Sequence, residues 1–167
     1  YNEEGKAAGI VDIIKNGQAV ALVSDAGSPL ISDPGYKLVS LCRKEGVKVY
    51  SIPGASAVIC ALQLAGLPTN RFMFAGFIPN KDKARADLFN ELKSINTTLV
   101  LYETAPRLLK TLQAAAEVFG IREMAVVREI TKLYEDARNG TAQELAQYYT
   151  ENPAKGEIVL VIAPPCQ

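Results

Sequence analysis

The 167-residue chain has no histidine and no tryptophan, and only three cysteines and two methionines. The lack of histidine removes Ser-His-Asp and Cys-His catalysis from within these residues, together with most transition-metal sites. Cys42, Cys60 and Cys166 are odd in number, widely spaced and set among apolar residues, which reads as reduced thiols rather than a disulfide framework. Neither Gly-x-Gly-x-x-Gly nor Gly-x-x-x-x-Gly-Lys-Ser/Thr occurs, so the dinucleotide fingerprint and the P-loop are both missing. No charge sign dominates: Lys plus Arg and Asp plus Glu stand at 18 each. Bulk neutralisation of phosphates calls for a basic chain, so any nucleic-acid contact is expected to be a local patch. Apolar runs reach only strand length and nothing from Tyr1 onward reads as a secretory leader, so the expected location is cytoplasmic.

What is present fits a globular α/β protein: 49% of residues are hydrophobic and 22% charged, near the average for soluble domains. Residues 4–15 carry Ile10, Val11, Ile13 and Ile14 at helical spacing, and Gly17 suits the stop. Residues 19–24 read as a buried strand and 47–52 as a second strand, each followed by a Gly-containing loop and a helix, amphipathic at 36–43 and apolar at 57–65. That alternation predicts a parallel βαβ unit. Asp33-Pro34 has the residue types of an N-cap and first helical position. The pattern changes at Gly66-Leu67-Pro68. Beyond it, strands are expected at 72–77, 98–102, 124–128, 133–138 and 158–163. Helices are expected at 84–93 and 107–119 and from a capping box at Thr141 to Tyr149, with a turn at Asn139-Gly140. The expected domains are therefore 1–68, a βαβ remnant, and 69–167, a mixed α/β unit. Two strands are few for a parallel sheet, so further strands are expected upstream of Tyr1.

Four loops hold candidate chemistry. The first, Ser24-Asp25-Ala26-Gly27-Ser28-Pro29, follows a strand end, where open α/β sheets place ligands; Asp25 there is either a turn residue or a ligand contact. Pro53-Gly54-Ala55-Ser56 repeats the topology, and two such loops on neighbouring strands would face one crevice. Tyr102-Glu103 with Arg107, and Arg128-Glu129 with Lys132, put ionisable groups after apolar strands. Their plainer readings are a helix-dipole carboxylate and a surface ion pair. Lys81, Lys83 and Arg85 read chiefly as a solvated face.

The run Val20–Tyr36 (VALVSDAGSPLISDPGY) resembles the signature of the ribosomal RNA small subunit methyltransferase I family, within the tetrapyrrole (corrin/porphyrin) methylase superfamily. The likeness continues through Ile52-Pro53-Gly54, Gly76-Phe77-Ile78-Pro79, Arg107-Leu108-Leu109, Arg128-Glu129-Ile130-Thr131-Lys132 and Lys155-Gly156-Glu157. It implies a two-domain, homodimeric enzyme that uses S-adenosylmethionine to methylate a cytidine ribose 2′-hydroxyl in small-subunit ribosomal RNA. Carried over, Asp25, Ala26, Gly27, Ser28, Ser56, Ala57, Leu101, Tyr102, Arg128, Ile162 and Ala163 would contact the cofactor. Glu103 and Glu129 are the candidate bases, Arg107 and Lys132 the candidate RNA contacts, and no metal is expected. The family's opening strand and Pro-containing loop have no counterpart here, and Pro106 stands where relatives often have histidine. A fragment cut at both ends is therefore expected. The alternatives are a methylase acting on a precorrin-like tetrapyrrole and a truncated, catalytically inert core.

Overall fold

The structure, a computed structural model, describes residues 3–165. Cys166 lies outside them; Cys42 and Cys60 are free thiols. Contacts divide the chain into two compact units, residues 1–56 and 57–167. The break falls ahead of the helix Ala57–Ala65 and not at Pro68, because that helix buries Val58, Ala61, Leu62 and Ala65 against the sheet of the second unit.

The first unit consists of helices α1 (Glu3–Lys15) and α2 (Tyr36–Lys44), packed through Ala7, Val11 and Cys42. A Lys15–Glu45 ion pair at 2.5 Å joins their ends. The expected strands at 19–24 and 47–52 do not form: these residues have no ladder, and Val23 and Ile52 are 81% and 86% exposed. Apolar runs mark residues suited to a sheet, but a strand exists only through its hydrogen-bonded neighbours. Asp33 does not cap α2 either. Gly35 occupies the N-cap at φ +127°, and its carbonyl accepts from Val39 N–H at 3.0 Å. A Cβ on Gly35 would come within 2.7 Å of Leu22 Cδ2, so the chain can enter α2 at that angle only through glycine.

The second unit opens with α3 (Ala57–Ala65). It continues as β1 (Phe72–Phe77), α4 (Asp82–Leu92), β2 (Thr98–Thr104), a 3-10 turn (Ala105–Arg107), α5 (Leu108–Phe119), β3 (Glu123–Arg128), β4 (Asp136–Thr141), α6 (Ala142–Glu151) and β5 (Glu157–Ile162). The sheet order is β1-β2-β5-β3-β4. β1 and β2 are parallel, joined by the α4 crossover, while β5 enters antiparallel to both β2 and β3, and β4 is antiparallel to β3. β1, β2 and β3 therefore point the same way, and their carboxyl ends share one edge with the starts of β5 and β4.

Alternation of side chains splits the core. Leu99, Leu101, Met124, Val126, Leu160 and Ile162 face the layer of α4, α5 and α6, around Phe89, Leu112 and Leu145. Val100, Ala125, Val127, Val159 and Val161 face α3. The expected turn at Asn139-Gly140 lies instead inside β4, where Asn139 Nδ2 donates to Ala65 O at 2.7 Å. β4 needs no turn because Thr141 starts α6 directly: Thr141 Oγ1 accepts from Glu144 N–H while the Glu144 carboxylate accepts from Thr141 N–H, as the capping box predicts. Arg85, expected to be solvated, is buried and paired to Asp82 at 2.7 Å. Leu160→Ala, in the middle of the central strand, should cost about 3 kcal/mol in urea unfolding. Val23→Ala, at an exposed site, should stay within about 0.5 kcal/mol.

Candidate functional site

In the first unit the two Gly-containing loops meet. Ser28 Oγ donates to Ala55 O at 3.1 Å. A Cβ on Gly27 would sit 3.6 Å from that carbonyl, and one on Gly54 3.9 Å from Ser28 Oγ. Ser24 Oγ donates to the carbonyls of Ala26 and Gly27 at 3.2 and 2.7 Å, which fixes the turn after Asp25. Asp25, Ala26 and Gly27 are exposed and Ser28 is half-buried. The Asp25 carboxylate has no hydrogen bond or ion pair among the described residues. The loops thus offer main-chain groups, small side chains and one uncommitted carboxylate, which suits a ligand bearing hydroxyl or amino groups. Ser56 closes the second loop; Ala57 begins α3 in the second unit.

The remaining candidates lie in the second unit, and the ladders sort them. Tyr102 of β2 and Val127 of β3 pair with the same β5 residue, Val159; Glu103 and Arg128 both pair with Ile158. Tyr102, Glu103 and Arg128 therefore share one sheet edge, joined by Glu129 just beyond β3. Ile162 pairs with Leu99 and Met124, and Ala163 N–H donates to Glu123 O at 2.9 Å. Ile162 and Ala163 sit at the opposite edge from Tyr102 and Arg128, since β5 runs against β2 and β3. Leu101 is fully buried beneath the helical layer, which leaves only its main chain available.

At the shared edge the charged groups hold one another. Glu103 is 3% exposed and points towards α5, where its carboxylate accepts from Thr111 Oγ1 at 2.5 Å and Thr104 N–H at 2.7 Å. Arg107 pairs with the same carboxylate at 2.7 Å and also donates to Ile78 O. Glu129, in the left-handed region at φ +50°, accepts from Glu157 N–H at 2.9 Å and from Lys132 Nζ at 3.0 Å. Lys132 reaches Glu157 as well, at 3.0 Å. The Glu157 amide, then the Lys132 ammonium, hold the Glu129 carboxyl below its ordinary value of 4.5. The Lys132 ammonium is shifted up in turn, chiefly by its hydrogen bond to Glu129. Arg128 extends to Asp136 at 3.5 Å and to Lys155 O at 3.4 Å.

Sequence reasoning missed three members of these networks: Thr111, Asp136 and Gly156. Gly156 has φ +84°, and a Cβ on it would fall 2.1 Å from Glu129 Oε1. The Glu129 side chain lies in the space that this glycine leaves. Lys155-Gly156-Glu157 was a signal only as a resemblance, because its meaning depends on a partner far away in the sequence.

Residues 1–146 match the family described as Tetrapyrrole (Corrin/Porphyrin) Methylases. The chain belongs to this family. It is 47% identical over 154 residues to the Ribosomal RNA small subunit methyltransferase I of Rickettsia prowazekii, covering 92% of this chain and 55% of that protein. The protein of the same name from Vibrio cholerae is 46% identical over 165 residues, covering 97% of this chain and 57% of the relative. The chain thus spans a little over half the length of these curated relatives. Among solved structures, diphthine synthase superposes with a TM-score of 0.72 at 17% identity, over 97% of this chain and 66% of that one. The methyltransferase CobJ gives 0.70 at 16% identity, over 98% and 72%. These likenesses show the tetrapyrrole-methylase fold, with the mixed sheet expected for the second unit.

Gly156→Ala should lower stability by about 2 kcal/mol, through left-handed strain and collision with Glu129. In a double-mutant cycle, adding Glu129→Ala should recover part of that loss, because the colliding side chain is gone. The depressed Glu129 carboxyl contributes stability that is fully present above the unfolded-state value and is lost as pH falls through the lower folded-state value. Acid unfolding of Glu129→Gln, compared with the parent chain, should therefore show a shallower loss below about pH 4.5.

Proposed function

We propose that this chain is part of an S-adenosylmethionine-dependent methyltransferase that methylates the 2′-hydroxyl of a cytidine ribose in small-subunit ribosomal RNA. Relatives at 46–47% identity that carry the name Ribosomal RNA small subunit methyltransferase I support the reaction and the substrate class. The observation that carries the reading is the pairing of the two loops through Ser28 and Ala55, with an uncommitted Asp25 beside them. No helix among the described residues is long and apolar enough to cross a membrane. We take the working form to be a cytoplasmic homodimer, as the resemblance implies.

The residues present fit the cofactor. Gly27, at φ +75°, and Gly54 keep side-chain bulk out of the paired loops, and the adjoining Asp25 carboxylate suits ribose hydroxyls or the methionine amine. S-adenosylmethionine supplies an electrophilic methyl group on a sulfonium. The chain's own work is to bind and orient: within the first unit, Asp25 to Ser28 and Ser56 hold polar parts of the cofactor. In-line methyl transfer depends mainly on such positioning.

Glu103 and Glu129 fit anchoring better than proton abstraction. Glu103 accepts from an amide, a hydroxyl and a guanidinium at once, and Glu129 is held as an anion by an amide and an ammonium. A base needs a free lone pair within reach of the hydroxyl. Arg107 and Lys132 are committed to these carboxylates, so they act as positioning residues.

Calorimetric titration of S-adenosylmethionine into the chain should give micromolar binding. Gly27→Val and Asp25→Ala should each weaken it at least tenfold, with the melting temperature held. Absence of binding to the parent chain, or full binding by Gly27→Val, would overturn the assignment of these loops.

A further inference from the structure

The charged groups at the carboxyl edge of the sheet are already paired, which leaves open where a neutral chain grips an RNA strand. At the opposite edge, where β1 and β2 begin, a groove of about 480 Å³ is lined by Asn70, Arg71, Phe72, Ile95, Asn96 and Thr97. That volume falls within the span of small-ligand pockets, about 300–1,000 Å³. The side chains of Asn70, Arg71 and Asn96 make no hydrogen bond or ion pair among the described residues. No carboxylate lines the groove, so nothing there neutralises Arg71 or repels an anion. Phe72 keeps 44% of its surface exposed, at the start of the edge strand β1. Thr97 is 8% exposed, and its buried hydroxyl has no hydrogen-bond partner among the described residues.

The walls are fixed while the polar tips are free. Thr98 N–H donates to Arg71 O at 3.2 Å, Thr98 Oγ1 donates to Pro68 O at 2.5 Å, and Phe72 is in register with Thr98. Ile95 N–H donates to Leu92 O at 3.1 Å and Thr97 N–H to Ile95 O at 2.9 Å, which sets the other bank. We propose that this groove binds a nucleotide of single-stranded RNA, with Phe72 stacking on a base, Arg71 meeting a phosphate, and Asn70 and Asn96 reading base or ribose edges. Aromatic ring, guanidinium and side-chain amides are the combination that recognises unstacked nucleotides. An acidic peptide would match the cation but not the exposed ring and the paired amides. The inference rests on the RNA-methylating reading above. It adds a docking site within the second unit, on residues separate from the paired loops.

The test is fluorescence anisotropy with a labelled ten-nucleotide single-stranded RNA of mixed sequence, titrated with the chain at several salt concentrations. S-adenosylmethionine affinity and melting temperature are measured on every variant. Phe72→Leu should weaken RNA binding about tenfold with the salt slope unchanged. Arg71→Gln should weaken it and lower the salt slope by about one. Asn70→Ala with Asn96→Ala should weaken it without changing the slope. All should keep the cofactor affinity and melting temperature of the parent. A parent chain that binds cofactor but not RNA, or variants that bind RNA as the parent does, would overturn the groove and leave the methyltransferase reading standing. Equal binding of a polyglutamate peptide would overturn the choice of RNA. Groove-dependent RNA binding by a chain that does not bind S-adenosylmethionine would support the groove and count against the loops.

Discussion

Everything in the second unit depends on where β5 enters the sheet. It lies between β2 and β3 and antiparallel to both. Residues Ile158 to Ile162 are all buried, alternating between the α4–α6 layer and α3. Each such side chain contributes about 1.5–3 kcal/mol relative to exposure, so this strand ties the two faces of the sheet together. Its direction also decides which ends are neighbours. Because β5 runs backwards, its first residue, and not its last, stands beside the ends of β2 and β3. Glu157 is thereby brought to Glu129 and Lys132, while Ile162 and Ala163 are carried to the far edge.

The same edge shows how a carboxylate's surroundings decide its role. Glu103, near the end of β2, and Glu129, just beyond β3, lie at the same end of the sheet, and both follow apolar runs in the sequence. Glu103 is enclosed by Thr111, Thr104 and Arg107 and stitches the end of β2 to the start of α5. Glu129 fills the space above Gly156 and ties the loop after β3 to the start of β5. In both, the strong interactions of an ionised carboxylate are spent on geometry. Asp25 differs because none of its acceptor capacity is used among the described residues.

Local signals were readable where one residue decides the outcome. Gly17 and Gly120 end helices, and Thr141 with Glu144 opens α6 by reciprocal hydrogen bonds. The apolar runs of β1, β2, β3 and β5 also fell where alternation and length put them. What the sequence hid was partnership. Residues 19–24 carry a strand's composition, yet no ladder forms. Asp33-Pro34 has capping chemistry, yet Gly35 takes the cap, at a φ of +127° that favours glycine. Asn139-Gly140 has turn chemistry, yet Asn139 is held in β4 by a carbonyl more than seventy residues back, at Ala65. Direct reading of loops pointed to Asp25 to Ser28 and Pro53 to Ser56, which Ser28 and Ala55 join. It could not find Gly156 or Thr111, whose roles exist only through contacts the register creates.

Charge balance then takes on a different meaning. With 18 cations against 18 anions, the chain has no excess field to draw in an RNA strand from a distance. The candidate cations Arg107 and Lys132 are spent in pairs, Arg107 on Glu103 and Lys132 on Glu129 and Glu157, and Arg85 and Lys110 are likewise spent on Asp82. Pairing cancels a cation's pull on phosphate and fixes its position, so a paired arginine is a strut rather than a hand. Recognition in such a chain has to come from groups left without internal work and set on a rigid frame. Asp25 on the Ser24-braced turn meets that condition, and so do Arg71, Asn70 and Asn96 around the ring of Phe72. A chain with no net charge reads its ligands by short-range geometry, and its binding should depend more on shape and stacking than on ionic strength.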